Sequence, residues 1–271
     1  MTAHRIRNIL LKEWEVIFKD LNNLLFITIL PLLIVAEPLA IMWAVSRFGG
    51  SSVLGSSLIQ SALAKLGAEI PAISVLTVDQ QLQVLLLSQF KFFILFIPAV
   101  IAISFATFSI LEEKQTRTLE PLLATPVRTW ELLLGKALSG AIPAIIVCWA
   151  CAAIFFAGVV IMGWGSLNTL VLTGSWYLVL LLLTPGIAVL SFLLGVIGSS
   201  RAKDAKNAQN LIVVIILPVF ALIALQVTGI IWFSPLPVLF LSIGTWLVDF
   251  LVLRIAVRLF QRESIVIKWQ Y

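Results

Sequence analysis

Long apolar runs alternate with short polar connections along the chain. Six runs stand out, at about 24–45, 92–111, 137–162, 176–197, 211–231 and 238–253. A helix rises ~1.5 Å per residue, so runs of this length cross, or nearly cross, ~30 Å of hydrocarbon. The last run is short in apolar terms, but Arg254, Arg258 and Arg262 continue its helix at steps of four. Prolines punctuate the runs: Pro31 and Pro38 in the first, Pro98 in the second, Pro143 in the third, Pro185 beside Gly186 in the fourth and Pro218 in the fifth. A bend is predicted near Pro98, because proline removes a backbone donor and crowds the preceding turn. Ahead of the first run, Ile6, Leu10, Trp14, Ile17 and Leu21 recur at steps of four, four, three and four. That spacing predicts a helix over 4–21 with one apolar stripe. Arg5, Arg7, Lys12, Glu13, Glu15, Lys19 and Asp20 are placed on its other faces. A basic amphipathic helix carrying a tryptophan, just before a span, is expected to lie in the membrane interface.

The connections differ in character. Residues 46–88 form the longest one and are read as an extracytoplasmic segment. It opens Gly- and Ser-rich, and Thr77 with Gln80 resembles a capping box that starts a helix running into span two. Residues 163–175 are short and uncharged, with Trp164 and Trp176 expected as interface anchors. The connection after span four, SSRAKDAKNAQN, is charged; the one after span five is a tight proline-rich turn. The densest polar stretch separates spans two and three. It carries Glu112, Glu113, Lys114, Arg117, Glu120, Arg128, Glu131 and Lys136. Thr118 to Ala124 can form a short helix with its leucines on one face, stopped at Thr125-Pro126 because the residue before proline is pushed out of the α region. Thr125 or Thr129 can cap the helix of span three. This piece reads either as a rigid docking element clamped between two spans or as a plain solvated loop.

Composition agrees with a membrane protein. Of 271 residues, 61% are hydrophobic and 11% charged, and the mean hydropathy is +1.11. Soluble domains sit near 45–50% apolar and about 25% charged. Fifteen of the 18 Lys and Arg residues fall on the side holding both termini and the polar stretch; only Arg47, Lys65 and Lys91 fall on the other. The positive-inside rule then places both termini and residues 112–136 in the cytoplasm, and an odd number of spans would destroy the asymmetry. The basic residues are spread over several loops, so the net charge of +5 is not a nucleic-acid surface.

Candidate chemistry is sparse. Gly135-Lys136 lacks the rest of a phosphate loop: Trp130 stands where the first glycine belongs and Ala137 where Ser or Thr would follow. No metal spacing or nucleophile elbow is present, so the chain is not read as an enzyme. Cys148 and Cys151 lie inside an apolar run without a nearby cation and read as packing residues, and His4 is assigned no ligand role. Glu37 and Asp249 lie within spans, where a carboxylate costs at least ~2.5 kcal/mol. They read either as groups on a substrate or proton path between spans one and six, or as interface and helix-packing residues.

The segment 112–136, EEKQTRTLEPLLATPVRTWELLLGK, resembles the signature between spans two and three of type-2 ABC (ABC-2 type) transporter permeases, E-x-x-x-x-T-L-E-x-L-L-x-T-P-x-x-x-x-E-x-x-x-G-K. The matching positions are Thr118, Leu119, Glu120, Leu122, Leu123, Thr125, Pro126, Glu131, Gly135 and Lys136; Arg117 stands where many members carry glycine. Asn207-Ala208-Gln209 with Pro218 resembles the start of span five in that family. The resemblance implies an all-α polytopic protein over 1–271, with six spans, an interfacial helix at 4–21 and a cytoplasmic coupling helix within 112–136. It implies a multi-pass location in the cell membrane, two copies of a cytoplasmic ABC ATPase and a second, identical permease chain. ATP and Mg would be bound by the ATPase, with no cofactor on this chain. Glu113, Thr118, Leu119, Glu120, Leu122, Leu123, Thr125 and Pro126 would form the ATPase-coupling surface. The expected function is ATP-driven export of a hydrophobic or amphipathic substrate. The rival expectation is a proton-coupled secondary transporter using Glu37 and Asp249.

Overall fold

The computed structural model describes residues 2–19, 21–48, 57–115, 129–201, 211–227 and 234–259. The described residues are all-α, with no strand among them. Helix α1 (Thr2–Lys19) precedes the long α2 (Leu21–Phe48). Then come α3 (Ser57–Glu69), a 3-10 turn (Pro71–Val75), α4 (Val78–Phe93) and α5 (Phe96–Gln115). The second half holds α6 (Thr129–Ile161), α7 (Gly165–Val171), α8 (Gly174–Leu178), a π-turn (Val179–Leu183), α9 (Thr184–Arg201), α10 (Leu211–Val227) and α11 (Pro235–Leu259). Among the described residues, five stretches are long and apolar enough to cross a membrane: Leu24–Arg47, Val78–Ile110, Trp130–Ile161, Gly174–Ser199 and Pro235–Leu259. Helix α10 occupies the place of the predicted fifth span, with a shorter apolar stretch at Leu217–Gln226.

The second span is the most deeply buried and forms the centre of the bundle. Its helix starts at Val78, well before the apolar run at 92, so the connection read over 46–88 ends earlier than its polarity suggests. The capping box forms as expected: the Thr77 hydroxyl accepts from the Gln80 amide, and the Gln80 side chain accepts from the Thr77 amide at 3.1 Å. The bend falls at Ile94–Leu95, one turn before Pro98. Pro98 cannot donate to the Ile94 carbonyl. That oxygen accepts instead from the Ile97 amide at 3.1 Å and from the Cys148 thiol of α6 at 3.8 Å.

Helix α9 makes the most extensive contact with α5. Gly195 permits it: a Cβ there would lie 2.7 Å from Ala106 Cβ and 3.1 Å from the Ile103 carbonyl oxygen. Small residues of this kind let membrane helices approach closely. Before Pro185 the fourth span passes through the π-turn, two of whose carbonyls accept hydrogen bonds from other helices. Two indoles supply them: Trp149 Nε1 donates to the Leu180 oxygen at 2.9 Å and Trp246 Nε1 to the Leu182 oxygen at 3.1 Å.

Trp176 corrects an expectation. It is not an interface anchor but is fully buried, edge-on to Phe156 at 4.9 Å between ring centroids and tilted against Phe90 at 6.3 Å. Phe90 stacks on Phe155 at 3.8 Å. The residues after span three include helix α7, which folds back so that Asn168 Nδ2 donates to the Phe156 carbonyl at 3.3 Å. The short uncharged connection after span three thus contributes to the packed core.

Candidate functional site

Polar side chains are buried at several places among the described helices, Lys91 Nζ donating to Ser175 Oγ at 3.0 Å for example, and two groups bear on function. The first sits at the end of the bundle that carries α1 and the flanks of residues 116–128. Glu13 of α1, Ser109 of α5 and Lys136 of α6 meet there. Lys136 Nζ donates to Glu13 Oε1 at 3.1 Å and to Ser109 Oγ at 2.8 Å, and Ser109 Oγ donates to Glu13 Oε2 at 2.8 Å. The Lys136 side chain is 2% exposed and that of Glu13 10%. A buried ion pair holds only when its geometry and extra hydrogen bonds offset lost hydration, and breaking one by removing a single partner costs about 3–5 kcal/mol. Next to it, Trp14 Nε1 donates to the Ser139 carbonyl at 2.9 Å, and the Ser139 hydroxyl donates to the Lys136 carbonyl at 2.7 Å. Gly135 explains how α1 comes so near: a Cβ there would lie 3.1 Å from Ile9 Cγ2.

The sequence reading placed Glu13 off the apolar stripe of α1; the structure buries it against α6. A signal was present. Glu13 is seven residues after Ile6 and four before Ile17, which is stripe spacing, and Lys136 is a lone cation in LLLGKALSG. What the pattern could not supply was the pairing of positions 123 residues apart.

The coupling residues predicted at Thr118, Leu119, Glu120, Leu122, Leu123, Thr125 and Pro126 lie outside the described residues. Glu113 lies in the last turns of α5, and Glu131 is buried in the first turns of α6. Both flanks of the segment 116–128 therefore run into helices tied by Glu13 and Lys136.

The second group lies within the spans. Glu37 is exposed on α2, 13 residues from one end of the stretch Leu24–Arg47 and 10 from the other. It lines a cavity of about 130 Å³ with Pro38, Ile41, Leu86, Gln89, Phe90, Phe93 and Ile223. Both side-chain amide atoms of Gln89 are buried without a hydrogen-bond partner. Asp249 is 4% exposed on α11, and both of its carboxyl oxygens are likewise unpartnered. Helix α2 packs chiefly on α6 and α4, whereas α11 packs chiefly on α9. Among the described residues, Asp249 is not part of the walls of the cavity beside Glu37.

A family model described as ABC-2 family transporter protein matches residues 7–236, most of the chain. Comparison with curated proteins and with solved structures gives no match. The matched region takes in α1, the paired cluster, the segment 116–128 and the cavity beside Glu37. The chain belongs to the ABC-2 family of transporter proteins and is a multi-pass membrane permease of an ABC transporter.

Proposed function

We propose that this permease exports a hydrophobic or amphipathic substrate across the cell membrane, driven by a separate cytoplasmic ATPase. Two identical permease chains work with two ATPase subunits, and those subunits bind the ATP and Mg. Both termini and the segment 112–136 face the cytosol, and α1 lies in the membrane interface. The ATPase docks against Glu113, Thr118, Leu119, Glu120, Leu122, Leu123, Thr125 and Pro126, and its closure moves the helices on either side.

The observation that carries this reading is the Glu13–Ser109–Lys136 cluster. One carboxylate holds the helix entering the segment and the helix leaving it. A push on residues 116–128 therefore displaces α1, α5 and α6 together instead of being absorbed in a loose loop. The Lys and Arg asymmetry supports the orientation. Co-purification in mild detergent, with mass spectrometry of the subunits, tests it. The expected result is an ABC ATPase held by the wild-type chain and lost with Glu120→Arg. Full retention of the ATPase by that variant contradicts the docking role.

A further inference from the structure

The geometry points to a binding site for an alkylammonium amphiphile, an apolar chain ending in a protonated amine, in the cavity between α2, α4 and α10. The walls are apolar apart from Glu37 and Gln89. Glu37 makes no ion pair among the described residues, and the amide oxygen and nitrogen of Gln89 are both buried and unmatched. Polar groups nearby are matched only in part: Ser88 donates to the Leu85 carbonyl at 2.7 Å and its own carbonyl accepts from Gln226 Nε2 of α10 at 3.3 Å, but Gln226 Oε1 has no partner. A carboxylate without a cation among the described residues thus lines an apolar cavity, while the amide of Gln89 is buried behind its wall.

Unpaired polar groups in such surroundings are costly, and a ligand that pairs them binds by removing that cost. The ligand must bring positive charge for Glu37. A protonated primary amine has three donors and one charge. The rings of Phe90 and Phe93 add attraction for a cation. An apolar cavity of roughly 150 Å³ accepts a benzene-sized guest. The space of about 130 Å³ therefore takes the ammonium head and the first methylenes, and the tail leaves past Ile41, which is exposed on the outer side of α2. A neutral alcohol of equal length leaves Glu37 unpaired, and a carboxylate amphiphile is repelled by it. The site thus selects by charge.

As a cargo site this inference rests on the export reading, but binding does not. The test uses the purified permease alone in phosphatidylcholine nanodiscs, with the unfolding temperature followed during titration of dodecylamine, dodecanol and dodecanoate. A ligand that binds the folded state raises that temperature in proportion to its affinity. Dodecylamine is expected to give a saturable rise and to bind at least roughly tenfold more tightly than dodecanol, with no rise from dodecanoate. Glu37→Gln is expected to abolish the preference for amine over alcohol. Gln89→Leu removes a buried unmatched amide and is expected to keep the preference for amine and to melt above the wild type without ligand, whereas Glu37→Gln melts near the wild type. Ile223→Phe, which narrows the cavity without touching either polar group, weakens amine and alcohol alike. Equal binding of amine and alcohol, or a preference for amine unchanged in Glu37→Gln, overturns the assignment. Competition by added phosphatidylethanolamine identifies the bilayer's own amine lipid as the source, and lack of competition a dissolved amphiphile; both keep the ammonium site. If amine binds as stated but is not moved by ATP and the partner ATPase in proteoliposomes, the export reading fails while the site stands.

Discussion

Two polar groups of this permease obey opposite rules. At the α1 end, Glu13, Ser109 and Lys136 saturate one another, and Trp14 and Ser139 complete the cluster. In the spans, Gln89 and Asp249 have polar atoms buried with no partner, and Glu37 has no ion pair among the described residues. Removal of hydration is costly in both places. The first cluster recovers that cost within the chain, so it behaves as a joint. The second leaves it open, so its buried members oppose folding, and the exposed Glu37 alone is open to something that arrives from outside. Pairing, rather than polarity or burial, separates the structural charge from the candidate functional one.

Substitutions sharpen or break this contrast. The largest effect is expected at the joint: Glu13→Ala or Lys136→Ala lowers unfolding stability in detergent by about 3–5 kcal/mol, whereas the double change Glu13→Met with Lys136→Met stays near wild type. A double-mutant cycle on the unfolding midpoint measures the coupling, and additivity would show that the pair is not a unit. The indole of Trp149 is paired in the same sense. Trp149→Phe leaves the Leu180 carbonyl unmatched and is expected to cost about 1–3 kcal/mol in the same measurement. The sign reverses at an unpaired group: Asp249→Leu is expected to raise stability by about 1–2 kcal/mol, since it removes a buried carboxyl that has nothing to lose. The smallest effect is expected at Glu37. Glu37→Gln changes stability by less than about 0.5 kcal/mol, as a partnerless exposed group should, and substantial destabilisation would show a hidden structural role.

Much of the architecture was legible along the chain. The apolar runs appear as helices, Pro98 marks the break at Ile94–Leu95, and Thr77 and Gln80 form their capping box. These features depend on neighbours within a few residues. Trp176, Glu13 and the π-turn were not legible, because each is decided by partners far along the chain. Trp176 meets Phe90 and Phe156, Glu13 meets Lys136, and the π-turn carbonyls are held by Trp149 and Trp246. A tryptophan beside an apolar run has the same local pattern whether it faces lipid headgroups or a packed aromatic cluster. The cavity at Glu37 was half legible. The carboxylate within a span stood out, but Gln89 did not, since an amide in a long helix is unremarkable until its lack of partners is seen.

The joint is best tested by ATP hydrolysis of the assembled complex, comparing the wild type with the Glu13→Met, Lys136→Met double variant. The complex is expected to stay intact and the variant to fold. The permease's effect on the ATPase rate is then expected to disappear, because residues 116–128 no longer move α1, α5 and α6 as one body. An unchanged response of hydrolysis to the permease in that variant contradicts the account.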